Sequence, residues 1–225
     1  MQRIVVALLL ALWLMHTQAS AQVTVYTSEA AFLAALSPTP TYYKETFDSV
    51  PFPPSQPLNF ALSPFAYNAT VPGGDLYTYG PGDPDVWLST ATNVDQLVFT
   101  FTSGNISAVG GYFFTTGSDG AAAPGTINVT VNGFPTQSIP LSDETSFLGF
   151  TAYSSFDTLT ITASQGVDSF WPTVNDFIVG VAAVPEPATW AMIGICSVGL
   201  IGGVVYRRRK HLLEAAKEVE QPVSA

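Results

Sequence analysis

Oxygen-bearing side chains stand near both ends of the strand-rich middle of the chain. Glu45 and Asp48 close an early strand-like segment, and Asn175 and Asp176 lie near the start of a late one. In a jelly roll the first and last strands are often neighbours, so these oxygens are expected to converge. Calcium takes about 6–8 oxygen ligands. The pattern predicts a structural Ca²⁺ site at Glu45, Asp48 and Asp176, and the alternative is that all are solvated strand-end and turn residues.

A second set combines aromatic rings with carboxylates between positions 73 and 87. Tyr77, Tyr79 and Trp87 offer rings that stack on the apolar face of a sugar. Asp83 and Asp85 stand beside them among glycines, where they can meet sugar hydroxyls or wrap a cation. The segment predicts a carbohydrate-binding site, and the alternative is ordinary turn chemistry beside aromatic residues that cover the core.

Three residue types that commonly carry chemistry are absent from residues 22–184, which contain no histidine, arginine or cysteine. This excludes Ser-His-Asp and Cys-His catalysis and zinc sites with histidine or cysteine ligands. Glycoside hydrolysis by a carboxylate pair stays open in principle. Asp143 and Glu144 are the obvious doublet, but neighbours on a strand face opposite ways. We expect that the chain is not an enzyme, and a carbohydrate-active enzyme is the weakest hypothesis.

The same region is strongly acidic. It holds thirteen acidic residues and one basic residue, Lys44, which gives a net charge of −12. A surface of this charge repels nucleic acid and anionic polymers, so no nucleic-acid partner is expected.

The first residues predict export. Arg3 precedes an apolar stretch, Ile4–Met15, and Ala19-Ser20-Ala21 follows as an A-x-A cleavage site. This is the pattern of a secretory signal peptide, residues 1–21, recognised by the secretion translocon. The mature chain is expected to begin at Gln22.

The last 41 residues combine a hinge, an apolar run and a basic block. Pro185 and Pro187 flank Glu186 and break any helix entering from the amino side. Residues 188–206 carry no charge, and at ~1.5 Å per residue they span a bilayer core of roughly 30 Å. The cluster that follows, Arg207-Arg208-Arg209-Lys210, is expected to stay in the cytoplasm with a short tail, residues 211–225.

This tail, residues 185–210, resembles the PEP-CTERM sorting signal of Gram-negative bacteria. The residues that carry the resemblance are Pro185, Glu186 and Pro187, the glycine-containing span, and Arg207, Arg208 and Arg209. The resemblance implies recognition and processing by an exosortase, a membrane-embedded cysteine peptidase. The alternative is a plain single-pass anchor, which leaves the exported domain at the outer face of the membrane.

The exported region, residues 22–184, is predicted to be all-β with one short helix at Ser28–Leu36. Phe32, Leu33 and Leu36 share one helix face, with Ser28 as its cap. Period-2 alternation predicts strands at 94–102, 126–131 and 156–163, and further strands are expected at 42–47, 107–116, 146–152 and 174–182. Eight to ten short strands favour an antiparallel β-sandwich, with a jelly roll as the first choice. Trp171, in a separate loop, is expected to pack rather than bind.

Four short motifs resemble the exported domain common among PEP-CTERM proteins. They are Glu45-Thr46-Phe47-Asp48, Gly110-Gly111-Tyr112-Phe113-Phe114, Phe147-Leu148-Gly149-Phe150 and Asn175-Asp176-Phe177. The resemblance of these motifs implies a lectin-like or carbohydrate-binding-module-like sandwich and implies no activity. The resemblance to PEP-CTERM proteins as a whole implies a non-catalytic surface or matrix protein that accompanies exopolysaccharide and biofilm production. The alternative is a Ca²⁺-dependent carbohydrate-binding module.

Overall fold

The computed structural model describes residues 23–36, 42–79, 85–166 and 168–183. They belong to the unit that ends at Ala183. The signal peptide with Ala19 and Ala21, the 185–210 segment, the 188–206 span and the 211–225 tail lie outside the described residues. Within the described ranges, no helix is long and apolar enough to cross a membrane.

The described chain forms one short helix and thirteen strands. The helix, α1, spans Glu29–Ala34. The strands are β1 (Thr24–Tyr26), β2 (Tyr42–Glu45), β3 (Leu58–Leu62), β4 (Phe65–Thr70), β5 (Leu76–Tyr79), β6 (Trp87–Thr90), β7 (Leu97–Phe101), β8 (Ala108–Thr116), β9 (Gly125–Val131), β10 (Gln137–Ser142), β11 (Phe147–Thr151), β12 (Thr158–Ala163) and β13 (Trp171–Gly180).

All strands belong to two antiparallel sheets, as expected for a β-sandwich. The seven-stranded sheet has the order β1-β11-β8-β13-β6-β5, with β2 also paired to β13, and the six-stranded sheet has the order β10-β9-β12-β7-β4-β3. Strands β6 to β13 are divided between the sheets in the orders β6-β13-β8-β11 and β7-β12-β9-β10, which is the strand order of an eight-stranded jelly roll. Thirteen strands replace the predicted eight to ten.

The main core lies between the two sheets and is built by alternate residues. Ile127, Val129 and Val131 of β9 are fully buried, while the intervening threonine and asparagine side chains are only partly covered. Phe177 of β13 stacks on Phe99 of β7 with ring centroids 4.2 Å apart. Burial of these apolar faces supplies the main favourable contribution to folding.

A smaller core lies on the outer face of the seven-stranded sheet, beneath α1. The fully buried Phe32 packs against Gly110 of β8 and Gly149 of β11. A Cβ atom at Gly149 would lie 2.6 Å from Phe32 Cδ2, so the glycine leaves the space that the ring occupies. The helix is shorter than predicted, and the Ser28 side chain makes no capping hydrogen bond.

The last strand, β13, is shared by three partners. It pairs with β8, with an irregularity between Asn175 and Ile178. Its other edge pairs with β6 at Val174 and with β2 from Phe177 to Gly180. Asp176 sits at the irregularity with φ of 51°, in the left-handed region. The expected neighbourhood of an early and a late strand is therefore found.

Candidate functional site

The lone basic residue of the exported region lies at the centre of a polar cluster beside α1. Lys44 Nζ lies 3.1 Å from Glu29 Oε1 and 2.8 Å from Asp176 Oδ2. The Tyr112 hydroxyl donates to Glu29 Oε2 at 2.7 Å. The cluster therefore joins α1, β2, β8 and the irregularity of β13.

The pKa directions in this cluster follow from its contacts. Burial alone would raise the pKa of Glu29, but hydrogen bonds from Tyr112 and Lys44 and the charge of Lys44 outweigh it and lower the pKa. Burial alone would lower the pKa of Lys44, but hydrogen bonds to Asp176 and Glu29 and their charges raise it. The pKa of Tyr112 is raised, first by its hydrogen bond to Glu29 and then by burial. The charged forms of Glu29 and Lys44 are thus both stabilised by folding.

Replacement of Lys44 by glutamine is expected to make the free energy of unfolding fall less steeply as the pH is lowered. The lowered pKa of Glu29 stabilises the fold above its ordinary value of 4.5, and this stability is lost as pH falls through the folded-state pKa. The raised pKa of Lys44 adds stability that is lost above its ordinary value of 10.5. Because Lys44 is one-third exposed, its loss near pH 7 should cost only about 1 kcal/mol.

Urea unfolding between pH 3 and pH 7 measures this effect. Lys44→Arg, which keeps the charge, serves as the control and should retain the wild-type slope. An unchanged acid slope in Lys44→Gln would show that the ion pairs do not stabilise Glu29.

The predicted calcium ligands Glu45 and Asp176 are separated by strand alternation. Glu45 points inward and is 7 % exposed. Its Oε1 accepts a hydrogen bond from the backbone N–H of Phe47 at 2.8 Å, and its Oε2 accepts from the Tyr43 hydroxyl at 3.2 Å. Phe47 has φ of 63°, so the carboxylate stabilises a backbone conformation that costs energy. The neighbouring Lys44, on the opposite face of β2, is the residue that meets Asp176.

The third predicted ligand, Asp48, is also engaged by the protein. Its Oδ1 accepts a hydrogen bond from the backbone N–H of Val86 at 3.1 Å. Within the described ranges, no group of three or more His, Cys, Asp or Glu residues is placed to hold a metal ion. Glu45, Asp48 and Asp176 are therefore not gathered into a ligand set, and a bound Ca²⁺ stays a prediction from the sequence.

The aromatic members of the predicted sugar-binding set lie on strands. Tyr77 and Tyr79 belong to β5, and Trp87, directly opposite Tyr79, belongs to β6. The rings of Tyr79 and Trp87 stack with centroids 5.8 Å apart. Asp85 Oδ1 accepts from Asn175 Nδ2 at 2.8 Å, and Asp83 lies outside the described residues. The structure therefore gathers the three rings and directs Asp85 away to Asn175.

Tyr77 and Tyr79 line a surface cavity of about 260 Å³ at the edge of the seven-stranded sheet. Trp171, which the sequence predicted to pack, is a third ring in its wall. The other lining residues are small or hydroxyl-bearing: Ser89, Thr90, Ala91, Thr116, Gly117, Ser118 and Gly120. We call this cavity the aromatic pocket. Trp87 supports it from behind, since its ring packs between Tyr79 and Phe114.

A row of hydroxyl groups crosses three strands at the pocket. Thr116 Oγ1 lies 3.0 Å from Thr173 Oγ1, and the Thr173 hydroxyl donates to Ser89 Oγ at 3.1 Å. The Ser89 hydroxyl donates in turn to the carbonyl oxygen of Pro172 at 3.1 Å. The row fixes these hydroxyl protons and leaves oxygen lone pairs to accept hydrogen bonds.

Comparison with known protein families decides the identity of the carboxyl-terminal segment. Residues 183–210 match the model of the PEP-CTERM protein-sorting motif. The chain carries a PEP-CTERM sorting signal. This match confirms the resemblance noted in the sequence, and it covers Pro185, Glu186, Pro187, Arg207, Arg208 and Arg209. No curated protein and no solved structure matches the chain.

The PEP-CTERM motif marks an exported protein that is sorted to the cell envelope by an exosortase. The exosortase is therefore the processing partner implied by the motif. The cluster around Lys44 and the aromatic pocket both lie upstream of the motif, in the exported region.

Sequence reasoning missed the hydroxyl residues that lie beside the rings of this PEP-CTERM protein. Ser89 and Thr173 are 84 positions apart in the chain, and only the pairing of β6 with β13 brings them together. One signal was present: Trp171, Thr173 and Asn175 alternate with apolar or buried neighbours. Such a period-2 pattern indicates that Trp171 belongs to a strand face rather than to a loop.

Proposed function

We propose that this PEP-CTERM protein is a non-catalytic cell-surface component that associates with exopolysaccharide in a biofilm matrix. The observation that carries the proposal is the aromatic pocket, where Tyr77, Tyr79 and Trp171 meet a row of hydroxyl groups. Rings that cover the apolar face of a sugar, next to groups that bind its hydroxyls, are the two elements of carbohydrate recognition. The sorting signal delivers this pocket to the place where exopolysaccharide is found.

The carboxylates of the domain support a binding role rather than catalysis. Asp143, from the doublet considered for hydrolysis, accepts hydrogen bonds from the backbone N–H and the hydroxyl of Thr145 at 2.9 and 2.7 Å. The bond from the Thr145 hydroxyl, then the bond from its backbone N–H and a third from the Ser146 hydroxyl, lower the pKa of Asp143. A glycosidase acid needs a raised pKa instead. Glu45 and Asp48 likewise hold backbone N–H groups.

We further propose that the precursor is a single-pass membrane protein before sorting. Residues 188–206 would span the membrane, and the cluster Arg207-Arg208-Arg209 would hold the cytoplasmic side. Exosortase processing then separates the β-sandwich from this segment and frees it for the matrix.

Replacement of Pro185, Glu186 and Pro187 by alanine is expected to block this processing. In native cells, the wild-type protein should be recovered from the matrix with a carboxyl end near residues 185–187. The variant should keep residues 188–225 and stay with the membrane fraction. Intact mass and cell fractionation measure both effects. Replacement of Leu212 and Leu213, outside the motif, is the matched control. A wild-type protein that ends at Ala225 would instead indicate a simple anchor.

Association with polysaccharide is tested by co-sedimentation of the full-length chain with exopolysaccharide from the same cells. We expect the protein to pellet with the polymer, and failure to pellet would overturn the proposed matrix role. The same assay with a calcium chelator separates the alternative, a Ca²⁺-dependent binding module, because only that module would lose binding.

A further inference from the structure

The aromatic pocket carries a more specific inference, which rests on the proposed polysaccharide association. We propose that this pocket binds one or two neutral sugar residues directly, through ring stacking and hydroxyl contacts and without a metal ion. Its size agrees with this ligand. The volume of about 260 Å³ is just below the ~300–1,000 Å³ of pockets that bury a drug-sized ligand.

The rings of the pocket are held in place before any ligand arrives. Tyr79 is stacked on Trp87, and Trp87 meets Phe114 edge-on with centroids 5.0 Å apart. Gly120 has φ of 75° and packs directly on the Tyr79 ring, where any Cβ atom would overlap it. Tyr77 stands edge-on to Phe52 at 5.2 Å. A wall fixed in this way loses little conformational entropy on binding.

The third ring, Trp171, is fixed from a different strand. Its indole N–H donates to the carbonyl oxygen of Ala91 at 3.4 Å, so the polar edge of the ring faces β6. Trp171 lines the same cavity as Tyr77 and Tyr79. The pocket is thus bounded by rings from β5 and β13 and accepts a ligand with apolar C–H surface.

The polar groups at the pocket complement hydroxyl groups in particular. Thr173 donates to Ser89, and Ser89 donates to the carbonyl oxygen of Pro172. The single hydroxyl proton of Thr173 is directed to Ser89 or to the carbonyl oxygen of Trp171, and in either case Thr116 is the donor in its contact with Thr173. The spare lone pairs of Thr116 then accept hydrogen bonds from ligand hydroxyl groups.

The charge distribution selects against acidic sugars. None of the described residues that line the pocket is charged. The exported region around it has a net charge of −12, which repels a uronate or sulfated polymer. The described residues that line the pocket include no cation that could pair with a carboxylate. An acidic sugar would therefore be repelled by the protein and would find no partner for its charge. The pocket therefore fits a neutral hexose polymer.

Binding of the full-length chain, purified in a detergent without a sugar headgroup, tests the inference. The probes are dextran, a neutral galactan and a neutral mannan against alginate, with tryptophan fluorescence or titration calorimetry as the measurement. We expect binding of at least one neutral polymer, unchanged by a chelator, and no binding of alginate. Tyr77→Ala and Trp171→Ala should each weaken it at least about tenfold, as expected for loss of a stacking ring.

Two further variants separate a local effect from loss of folding. Tyr153→Ala removes an exposed tyrosine that is not among the pocket residues and should bind as the wild type. Tyr77→Phe keeps the ring and should retain most of the affinity. The inference would be overturned by a lack of binding to every neutral polymer. It would also be overturned if Tyr77→Ala and Trp171→Ala bound as tightly as the wild type. If the chain still sediments with its native polysaccharide in that case, the proposed matrix role survives and only the pocket is rejected.

Discussion

Replacement of Phe177 by alanine is expected to lower the free energy of unfolding by about 3–5 kcal/mol. Phe177 is fully buried between the sheets and stacks on Phe99 with centroids 4.2 Å apart. It also meets the Tyr67 ring edge-on at 5.6 Å. Truncation removes the transfer free energy of the ring and leaves a cavity that two other rings border. In a domain of ordinary stability, about 5–15 kcal/mol, this is a large fraction of the total.

Urea unfolding of the full-length chain measures this loss as a shift of the midpoint. With a typical slope of about 1–3 kcal/mol per molar urea, the midpoint should fall by about 1 M or more. Phe177→Leu keeps most of the volume and should lose less. Val94→Ala, at a site that is 76 % exposed, is the control and should change stability by at most about 0.5 kcal/mol. A Phe177→Ala protein as stable as this control would contradict the described core.

Replacement of Gly149 by alanine is expected to cost about 1–3 kcal/mol, although alanine is ordinarily the better strand residue. The new Cβ atom would lie 2.6 Å from Phe32 Cδ2 and 2.8 Å from Phe32 Cγ. Phe32 is fully buried beneath α1, so its ring cannot move aside without shifting the helix. The loss therefore measures how closely the helix packs on the sheet.

A double-mutant cycle isolates this contact. In a Phe32→Ala background the ring is gone, and Gly149→Ala should cost far less than in the wild type. Gly166→Ala is the matched control, because a Cβ atom there meets nothing within 4 Å. If the cost of Gly149→Ala were the same in both backgrounds, the penalty would come from the strand backbone or from Phe147, whose Cε1 would lie 3.1 Å from the new Cβ atom, and not from Phe32.

The strands with strict alternation were predictable from sequence. Ile127, Val129 and Val131 alternate with polar residues, and the observed β9 begins at Gly125, one residue before the predicted start. Leu159 and Ile161 predicted β12 in the same way. Each of these strands presents one face to the core and one to water, so the period-2 pattern records its burial directly.

The segment from position 73 to 87 was harder because glycine and proline dominated its pattern. Tyr77 and Tyr79 alternate with Leu76 and the buried Thr78, which is a strand signal of only four residues. The pocket that they line also needs Trp171 and Thr116, which topology alone brings close. The sequence therefore indicated Tyr77 and Tyr79 as residues of this site, but neither Trp171 nor the hydroxyl residues.

The failed convergence of acidic residues has a similar cause. The neighbourhood of β2 and β13 was expected correctly, since Glu45 pairs with Phe177. Which face of β2 each side chain takes depends on register, and a shift of one residue exchanges Lys44 and Glu45. In the observed register Lys44 lies beside Asp176, and the Glu45 side chain is buried on the opposite face of β2. Three of the motifs noted in the sequence thus have structural roles. Residues 45–48 end β2 and begin the turn that follows it, residues 147–150 lie on β11 beneath the helix, and residues 175–177 contain the irregularity of β13.

The position of β13 has a consequence for the timing of export. This strand ends at Gly180, four residues before Val184, yet it lies between β8 and the pair β6 and β2. The seven-stranded sheet cannot close until its last strand has crossed the membrane, because every route through the sheet from β6 to β8 passes through β13. Translocation and folding are thereby ordered in time. The seven-stranded sheet is therefore completed only after residues 171–180 have been exported, shortly before the sorting motif follows them.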